Sequence, residues 1–425
     1  MSSSNDSKTT SALLFRALHR IRTTPPRVIA SPPTQPRRAA VALILRVVPP
    51  PHFPTSYIPP TPPSLADFFA LDWVAHPAAR PEILFLHRSK PDPGDTQDAH
   101  VAFPGGRMEE GDEGGLYTAM RQTWEEIGLD LAENDYMAIG QLDDREITTS
   151  LGKRLLMILS PFVFLQLTPT PTPIEPVSET TLHWIPLSFL FTSPSSLLSQ
   201  DVPQPQWSTV TVDAATRLAP RHSTILRIVM RALVGNMQFP ALILSTSSPS
   251  HSADDADDKR RGSLEMEAGT FYRSPSSLKL WGLTLGMSLD LLSYMAPTPL
   301  TPWDADAIMG ITGVSTDERG GKGKKRRKGK GRINAPPSLT SVFPRFSYPD
   351  VNFWIWVFGK RYREVIRGWE ASVRAGGTND RRINWTGAAL TTFYAAVRKA
   401  LVVVLVLRAI GILVGMALGI WWVFR

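Results

Sequence analysis

The sequence contains Phe103-Pro104-Gly105-Gly106 and then Arg121-Gln122-Thr123-Trp124-Glu125-Glu126-Ile127-Gly128-Leu129, a pattern typical of a glycine-rich loop that opens a short helix. Gly128 is expected to end this helix as a C′ glycine. Gln122, Glu125 and Glu126 lie at helical spacing and are expected to project together from one polar face. The opposite face forms a predicted buried stripe, from Glu113 onward: Leu116, Ala119, Met120, Thr123, Trp124 and Ile127.

The polar face of this helix indicates a metal site. Glu125 and Glu126 offer hard oxygen ligands on a rigid element, and Mg²⁺ takes one or two carboxylates and completes its octahedron with water and phosphate oxygens. The alternative is an exposed, solvated acidic face, which is the common role of a Glu-Glu pair. The glycine-rich loop before the helix and Gly128 after it favour the metal interpretation.

The whole segment resembles the Nudix box, Gly-x5-Glu-x7-Arg-Glu-U-x-Glu-Glu-x-Gly-U, where U is apolar. The residues that match are Gly106, Glu113, Arg121, Glu125, Glu126, Gly128 and Leu129. Three positions depart from the pattern. One extra residue separates Gly106 from Glu113, Thr123 replaces an apolar residue, and Gln122 stands where the family has a Glu that usually ligates metal or acts as base.

Segments outside the box are similar to the coenzyme A diphosphatase branch of this family. They are Ile83–Arg88, Val101–Gly106, Gly140–Asp144, Trp184–Leu187 and Trp281–Thr284. The resemblance covers residues 37–295, interrupted by insertions. It implies an α/β fold, a Nudix-like α/β/α sandwich with a mixed sheet. It also implies a metal-dependent pyrophosphohydrolase that acts on a CoA-like nucleotide or a related nucleoside diphosphate derivative.

The resemblance implies roles for individual residues. Mg²⁺ or Mn²⁺ would be held by Glu125, Glu126, Gln122 and Glu113. Arg121 would orient the carboxylates by ion pairing, and the backbone of Gly105 and Gly106 would lie close to the substrate. Arg88 and Arg107 would hold substrate phosphates, which a guanidinium matches bidentately. Glu179 is the first candidate for the acid that Gln122 replaces. The alternative for both arginines and for Glu179 is a solvated surface charge.

The composition fits one globular domain with surface insertions and terminal tails. Proline is frequent (38 residues) and forms clusters at residues 24–63, 169–176 and 293–302, which indicates linkers or surface insertions. The absence of cysteine excludes disulfides, thiolate metal sites and Cys nucleophiles. The net charge is +8, but Lys322–Arg332 alone holds eight Lys and Arg residues and no acid. Without this run, 38 basic residues face 38 acidic ones, so the pI does not indicate a nucleic-acid-binding surface. This run is either a solvated linker or a segment that attracts anionic lipids.

The C-terminus is predicted to meet a membrane. Residues 400–424 are apolar except for Arg408, long enough for a single-pass anchor. The basic residues on its N-terminal side place the catalytic domain in the cytosol, and association with mitochondria or peroxisomes stays open. Gly411, Gly415 and Gly419 form a face that would let two copies dimerise, although glycine is also simply common in spanning helices.

A second membrane-prone element precedes this span. Residues 353–374 predict a basic amphipathic helix that either lies at the bilayer interface or packs on the catalytic domain. Its apolar stripe consists of Phe358, Tyr362, Val365, Ile366, Trp369 and Val373.

These patterns divide the chain into five parts. They are a disordered or targeting tail (1–36), a Nudix-like hydrolase domain (37–298, with insertions at 49–81 and 246–268), a low-complexity basic linker (299–345), an amphipathic helix (346–376) and a transmembrane tail (385–425). Because Gln122 replaces a family Glu, a second class of function stays open, a catalytically weak Nudix-fold binding or scaffolding protein held at a membrane.

Overall fold

The computed structural model describes residues 10–32, 37–51, 53, 63–88, 99–148, 155–169, 174–177, 180–190, 206–214, 224, 228, 231–232, 234–244, 278–295, 342–374 and 385–425. Its strands are β1 (Arg38–Val48), β2 (Arg80–Arg88), β3 (Ala99–Ala102), β4 (Gly105–Arg107), β5 (Tyr136–Gln141), β6 (Arg145–Thr148), β7 (Leu155–Gln166), β8 (Thr180–Pro186), β9 (Gln206–Asp213), β10 (Asn236–Leu244), β11 (Leu278–Leu280) and β12 (Arg345–Phe346). Its helices are α1 (Thr10–Thr23), α2 (Leu65–Ala70), α3 (Asp72–Ala75), α4 (Gly115–Ile127), α5 (Leu187–Leu190), α6 (Gly282–Met295), α7 (Pro349–Phe358), α8 (Lys360–Arg374) and α9 (Trp385–Val423).

The strands form one mixed sheet in the order β12-β10-β11-β3-β2-β1-β7-β5, with β4 on β1, β6 on β7, β8 on β2 and β9 on β10. β1 runs parallel to β7, with Ala42 opposite Phe162, and β11 runs parallel to β3. Helix α4 packs on one face of the sheet, and α1 and α6 lie in the core on the other face. The predicted α/β/α sandwich with a mixed sheet is confirmed.

Strand β1 shows why the sheet forms here. Its aliphatic run is buried on both faces, as expected of a central strand between two helical layers. Leu43 and Leu45 enter the core on the α1 side, whereas Ala42 and Ile44 enter the core under α4. This strand therefore fixes the position of α4 relative to the rest of the domain.

The N-terminal segment belongs to the fold, so the tail predicted for residues 1–36 is wrong for residues 10–32. Helix α1 buries Leu14, Leu18 and Ile21 in the main core. The chain that follows it is held by the buried carboxylate of Asp144, which accepts a hydrogen bond from the backbone N–H of Ile29 at 2.9 Å. The apolar face of α1 had a partner in the sheet, which an isolated amphipathic pattern does not reveal.

The predicted Pro-rich insertion at 49–81 is also partly wrong. Residues 65–75 form α2 and α3, whose side chains Phe68, Trp73 and Val74 are buried in the main core. Ser64 caps α2, since its hydroxyl accepts from the Asp67 N–H at 3.2 Å. The insertion at 246–268, the run 322–332 and most of the linker at 299–345 lie outside the described residues.

The C-terminal helices pack on the same core. Gly359 separates α7 from α8, so the single helix predicted for 346–376 is wrong. Of the two alternatives for the apolar stripe of this segment, the structure shows packing on the protein, because Ile366 and Trp369 are buried and Tyr362 and Val365 pack against the core. Helix α9 is long and apolar enough over Ala388–Val423 to cross a membrane. Its first half contacts α7 and α8, with Phe393, Val397 and Val404 buried.

Candidate active site

Helix α4 carries the predicted catalytic face. Its inner side is built from Ala119, Thr123 and Ile127. Thr123 is accommodated at this apolar position because its hydroxyl donates to the Ala119 carbonyl at 2.7 Å. Two members of the predicted buried stripe are wrong: Leu116 and Trp124 are exposed, Trp124 by 57%. The helical periodicity is confirmed, but the buried face is centred nearer Thr123 than predicted.

Glycines lie at both ends of the segment that carries the candidate site. Gly128 has φ 68° and its N–H donates to the Trp124 carbonyl at 2.8 Å, which confirms the predicted helix end. The glycine loop does not open the helix directly, since Gly105 and Gly106 lie in β4 and α4 begins at Gly115. β4 pairs with β1, and this pairing brings the loop backbone beneath the polar face of α4.

The structure brings Gln122, Glu125 and Glu126 together above this loop. The Gln122 amide donates to a Glu125 carboxylate oxygen at 2.8 Å. A Glu126 carboxylate oxygen lies 3.5 Å from the Gly105 backbone nitrogen. A Cβ atom at Gly106 would fall 1.9 Å from Gln122 Oε1, so the helix face and the loop are in direct contact. A side chain at position 106 would have to displace the end of the Gln122 side chain.

Arg88, at the end of β2, pairs with Glu126. Its guanidinium donates to both carboxylate oxygens, one of them from Nη2 at 2.8 Å. The Arg88 side chain is 43% exposed, so it can also reach a group that arrives from solvent. Arg107, the other arginine predicted to bind phosphate, is exposed, and its carbonyl accepts from Arg121 at 3.3 Å.

Asp112, which is not among the predicted site residues, holds Arg121 in place. The guanidinium donates to both oxygens of this carboxylate at 2.7 and 2.8 Å and also to Glu125 at 2.8 Å. The Asp112 side chain is only 2% exposed and accepts from the Thr118 hydroxyl as well. Hydrogen bonds from Arg121 hold the pKa of Asp112 well below its usual range, and those to Asp112 and Glu125 raise the pKa of Arg121.

Glu113, the neighbour of Asp112, is exposed and precedes the first turn of α4, and its role as a metal ligand stays a prediction. Asp112 instead points into the arginine network. Asp112 follows Gly106 after five residues, as in the family pattern, but eight residues then separate it from Arg121, where the pattern has seven. Spacing alone therefore does not choose between the two acids. Glu179 lies outside the described residues.

The oxygen atoms of this helix face suit a hard metal cation that keeps several of its bound water molecules. Glu125 and Glu126 supply two carboxylates and Gln122 an amide oxygen, which are ligands that Mg²⁺ accepts together with substrate phosphates. Over the described ranges, no three or more acids or histidines converge into a ready-made metal cage. The chemistry of these residues thus fits a metal that is bound jointly by protein and substrate.

Gly105→Ala is expected to destabilise the fold and disrupt the loop. Gly105 has φ +146°, and a Cβ there would lie 2.3 Å from the Ala40 carbonyl oxygen and 2.6 Å from the Val41 Cα. The backbone conformation alone costs roughly 1–3 kcal/mol for a non-glycine residue, and the contact with β1 backbone adds to this. Thermal unfolding measures the loss. Gly111→Ala is the matched control, since its Cβ would meet nothing within 4 Å, and equal effects in both variants would contradict the packing argument.

The face of the sheet opposite α4 carries a cavity of about 400 Å³. It is lined by Val101, Phe239, Trp281 and Tyr394, among others. Val101 belongs to the core on the α1 side, whereas α4 packs on Leu84 and Leu86 from the other core. The cavity is thus separate from the acidic face, and we place the candidate site at α4, where the chemistry converges.

Two histidines were also missed by sequence reasoning. Burial lowers the pKa of His87 and of His183, and in each case a neighbouring imidazole lowers it further. Thr181 bridges them, with its hydroxyl 3.0 Å from His183 Nε2. His183 pairs with Phe85 and His87 with Val101 across the sheet, which places both rings on the face away from α4.

Comparisons with known proteins agree with this description. Residues 74–207 match the family model described as NUDIX domain. The uncharacterized protein C14C4.10c of Schizosaccharomyces pombe is 26% identical over 219 residues, which cover 51% of this chain and 57% of that protein's length. The chain thus spans a little over half of this relative.

Two solved structures are also similar in part. They are the NUDIX domain of Shewanella oneidensis NrtR complexed with ADP ribose (14% identity, TM-score 0.22, 36% of this chain and 73% of that chain) and the Nudix hydrolase RenU from M. Smegmatis (16% identity, TM-score 0.20, 35% of this chain and 70% of that chain). The match of residues 74–207 supports the Nudix family for this segment, and the sandwich built around α4 has the Nudix-like α/β architecture predicted from the sequence.

Proposed function

We propose that this chain is a membrane-anchored Nudix hydrolase that cleaves the pyrophosphate bond of coenzyme A, an acyl-CoA or a related nucleoside diphosphate derivative. The observation that carries the proposal is the convergence of Glu125, Glu126 and Gln122 on the backbone of Gly105 and Gly106. Arg88 and Arg121 hold the two carboxylates in place. The CoA-like substrate rests on the resemblance of the flanking segments alone.

The residues of the site would divide the work as follows. Mg²⁺ or Mn²⁺, when bound at Glu125 and Glu126, would neutralise the pyrophosphate and make a water more acidic for attack on phosphorus. Arg121 keeps Glu125 oriented, because Asp112 anchors the other side of its guanidinium. Arg88 would turn from Glu126 to a substrate phosphate, which it binds through the same two-pronged geometry. With CoA, the products would be an adenosine bisphosphate and a phosphopantetheine.

Product analysis with a panel of pyrophosphates tests this function. The full-length chain in detergent is incubated with CoA, acyl-CoA, ADP-ribose and nucleoside triphosphates in Mg²⁺ or Mn²⁺. A shorter chain covering residues 30–345 is unsuitable, because it would lack α1 and the C-terminal helices that complete the core. Cleavage of CoA at the pyrophosphate is expected. Cleavage of only another substrate would replace the CoA assignment, and no cleavage at all would favour the scaffolding function.

Gln122→Glu separates the hydrolase from a catalytically weak scaffold. The change adds a carboxylate beside Glu125, so we expect tighter metal binding and a higher kcat at low Mg²⁺. Without metal the variant should be slightly less stable, by a few tenths of a kcal/mol, because like charges at helical spacing repel. A Mg²⁺ titration of kcat measures the effect, and Gln238→Glu, at an exposed position of β10, is the control. An unchanged or lower kcat with an intact fold would favour the scaffold, or a base elsewhere, with Glu179 as first candidate.

The anchor is part of the same proposal. The side chains from Ile410 to Phe424 that are large and apolar are exposed along α9, as expected of a segment that lipid surrounds. Extraction of the full-length chain should need detergent, and release by high salt would contradict the anchor. Removal of residues 399–425 is a poor test, because Ala400, Leu401 and Val404 are buried in the core. A chain ending at Ala409 keeps these contacts.

The topology and self-association of the anchor remain proposals. A cytosolic catalytic domain follows from the basic residues before the span. In the structure, a Cβ at Gly411, Gly415 or Gly419 would meet nothing within 4 Å, so this face is free to receive a second helix. Cross-linking in membranes would show whether two copies pair there.

A further inference from the structure

We propose that α7 is a second membrane-embedded element, lying in the bilayer interface beside α9, so that the domain is held against the lipid by two helices. The inference rests on the proposed anchor. It differs from the amphipathic helix expected from the sequence, because the stripe identified there is buried against the protein. The membrane-facing residues are different ones.

The length of α9 gives the first argument. The segment from Ala409 to Val423 rises only about 22 Å at 1.5 Å per residue. The hydrocarbon core of a bilayer is about 30 Å thick. A full span therefore has to include one or two further turns before Arg408, back to about Val402.

These additional turns of α9 lie beside α7. Leu401 and Val404 are buried on the protein side, whereas Val402 and Val406 point outward and are 62% and 52% exposed. α7 packs against this part of α9. A bilayer that covers Val402 and Val406 must consequently reach the neighbouring surface of α7.

The outer surface of α7 is suited to such a contact. Val351 and Ile355 hold the helix on the core, and Phe353 and Trp356 are 56% and 59% exposed on the outside, with Val357 also exposed. The Arg363 guanidinium lies 5.0 Å from the centre of the Trp356 ring. Tryptophan and arginine with apolar stems and polar ends are typical of the headgroup region.

The charge of Arg408 fits the same arrangement. Its guanidinium donates to Asp350 of α7 at 2.6 Å and lies 4.5 Å from the centre of the Tyr348 ring. A charged residue at membrane depth is tolerated when it is paired. The pair Asp350–Arg408 thus joins α7 to the span and neutralises the cation that interrupts it. The exposed cations Lys360, Arg361 and Arg367 on α8 would meet anionic headgroups nearby.

Spin labelling tests the inference, and the cysteine-free sequence makes single labels unique. The full-length chain is reconstituted in phosphatidylcholine vesicles that contain phosphatidylserine. Nitroxides are placed by Phe353→Cys and Val357→Cys, with Leu413→Cys as the control in the span. Asn134→Cys, exposed on the catalytic domain, is the aqueous control. Collision with oxygen, relative to a water-soluble nickel complex, measures depth.

Labels at 353 and 357 are expected to favour oxygen, as the label at 413 does, and to differ from the label at 134. If the label at 413 lies in lipid while those at 353 and 357 behave like 134, α7 is outside the bilayer and the inference is overturned although the anchor stands. If the label at 413 is itself aqueous, the anchor fails and the inference with it. Hydrolysis by these variants is measured separately, so neither result depends on the proposed activity.

Discussion

Glu126→Gln is expected to reduce kcat for pyrophosphate cleavage by on the order of 100- to 1000-fold, the range for loss of one electrostatic group at a reacting centre. The substitution keeps the size of the side chain but removes the charge that faces Arg88 and the Gly105 N–H. Initial rates across a Mg²⁺ titration measure the loss. Activity equal to that of the unchanged chain at limiting Mg²⁺ would remove Glu126 from the catalytic machinery.

The fold should survive this change. Glu126 lies on the polar side of α4 and its partner Arg88 is substantially exposed, and ion pairs of this kind contribute about 0–1 kcal/mol. Thermal unfolding without metal is therefore expected to match that of Glu133→Gln, which makes the same chemical change at an exposed position of the domain. A large fall in Tm for Glu126→Gln alone would mean that lost activity reflects lost structure.

Asp112→Asn is expected to destabilise the fold by about 2–3 kcal/mol. Breaking a fully buried ion pair costs roughly 3–5 kcal/mol, and here Arg121 keeps Glu125 as a partner. kcat should fall as well, since Arg121 would no longer be held from both sides. Chemical denaturation measures the stability change. Glu113→Gln, one residue further on and exposed, should change stability by less than about 0.5 kcal/mol.

The pH dependence of unfolding tests whether Asp112 is charged and paired with Arg121 in the folded protein. Its pKa is lowered in the folded state, chiefly by the hydrogen bonds from Arg121. Its contribution is therefore fully present above the unfolded pKa of about 3.9 and is lost as the pH falls below that value. Between pH 5 and 3 the unchanged chain should lose stability more steeply than Asp112→Asn. Parallel curves would show that Asp112 is not charged and paired in the folded state.

Much of the fold was predictable because its signals are local. β1, β2 and β7 are runs rich in aliphatic residues, which is a local signal of a buried strand. The end of α4 was predictable from one residue, because Gly128 adopts a positive φ that other residues avoid. The shared face of Gln122, Glu125 and Glu126 followed from helical periodicity alone.

The wrong predictions have a common cause. They depend on which distant segment of the chain packs against a given surface. The apolar face of α1 and the stripe of α8 were visible as patterns, but whether protein or lipid covers them depends on elements far away in the chain. Arg121 likewise had two adjacent acids as candidates, and only the turn before α4 decides that Asp112 points inward. Periodicity identifies a surface that must be covered, without identifying what covers it.

The attachment of the N-terminal segment to Asp144 has a consequence for the order of folding. The hydrogen bond from Ile29 to this carboxylate closes a separation of 115 residues, and β1 finds its parallel partner β7 even further along. Contacts between residues so far apart in the sequence form slowly. A long loop must close first, and its loss of conformational entropy is offset only once the contacts have formed. A nascent chain that has not yet reached β7 therefore carries β1 without its parallel partner, and α1 lacks its contacts with α6 until later still. Chaperones should accordingly be needed until α6 has been synthesised.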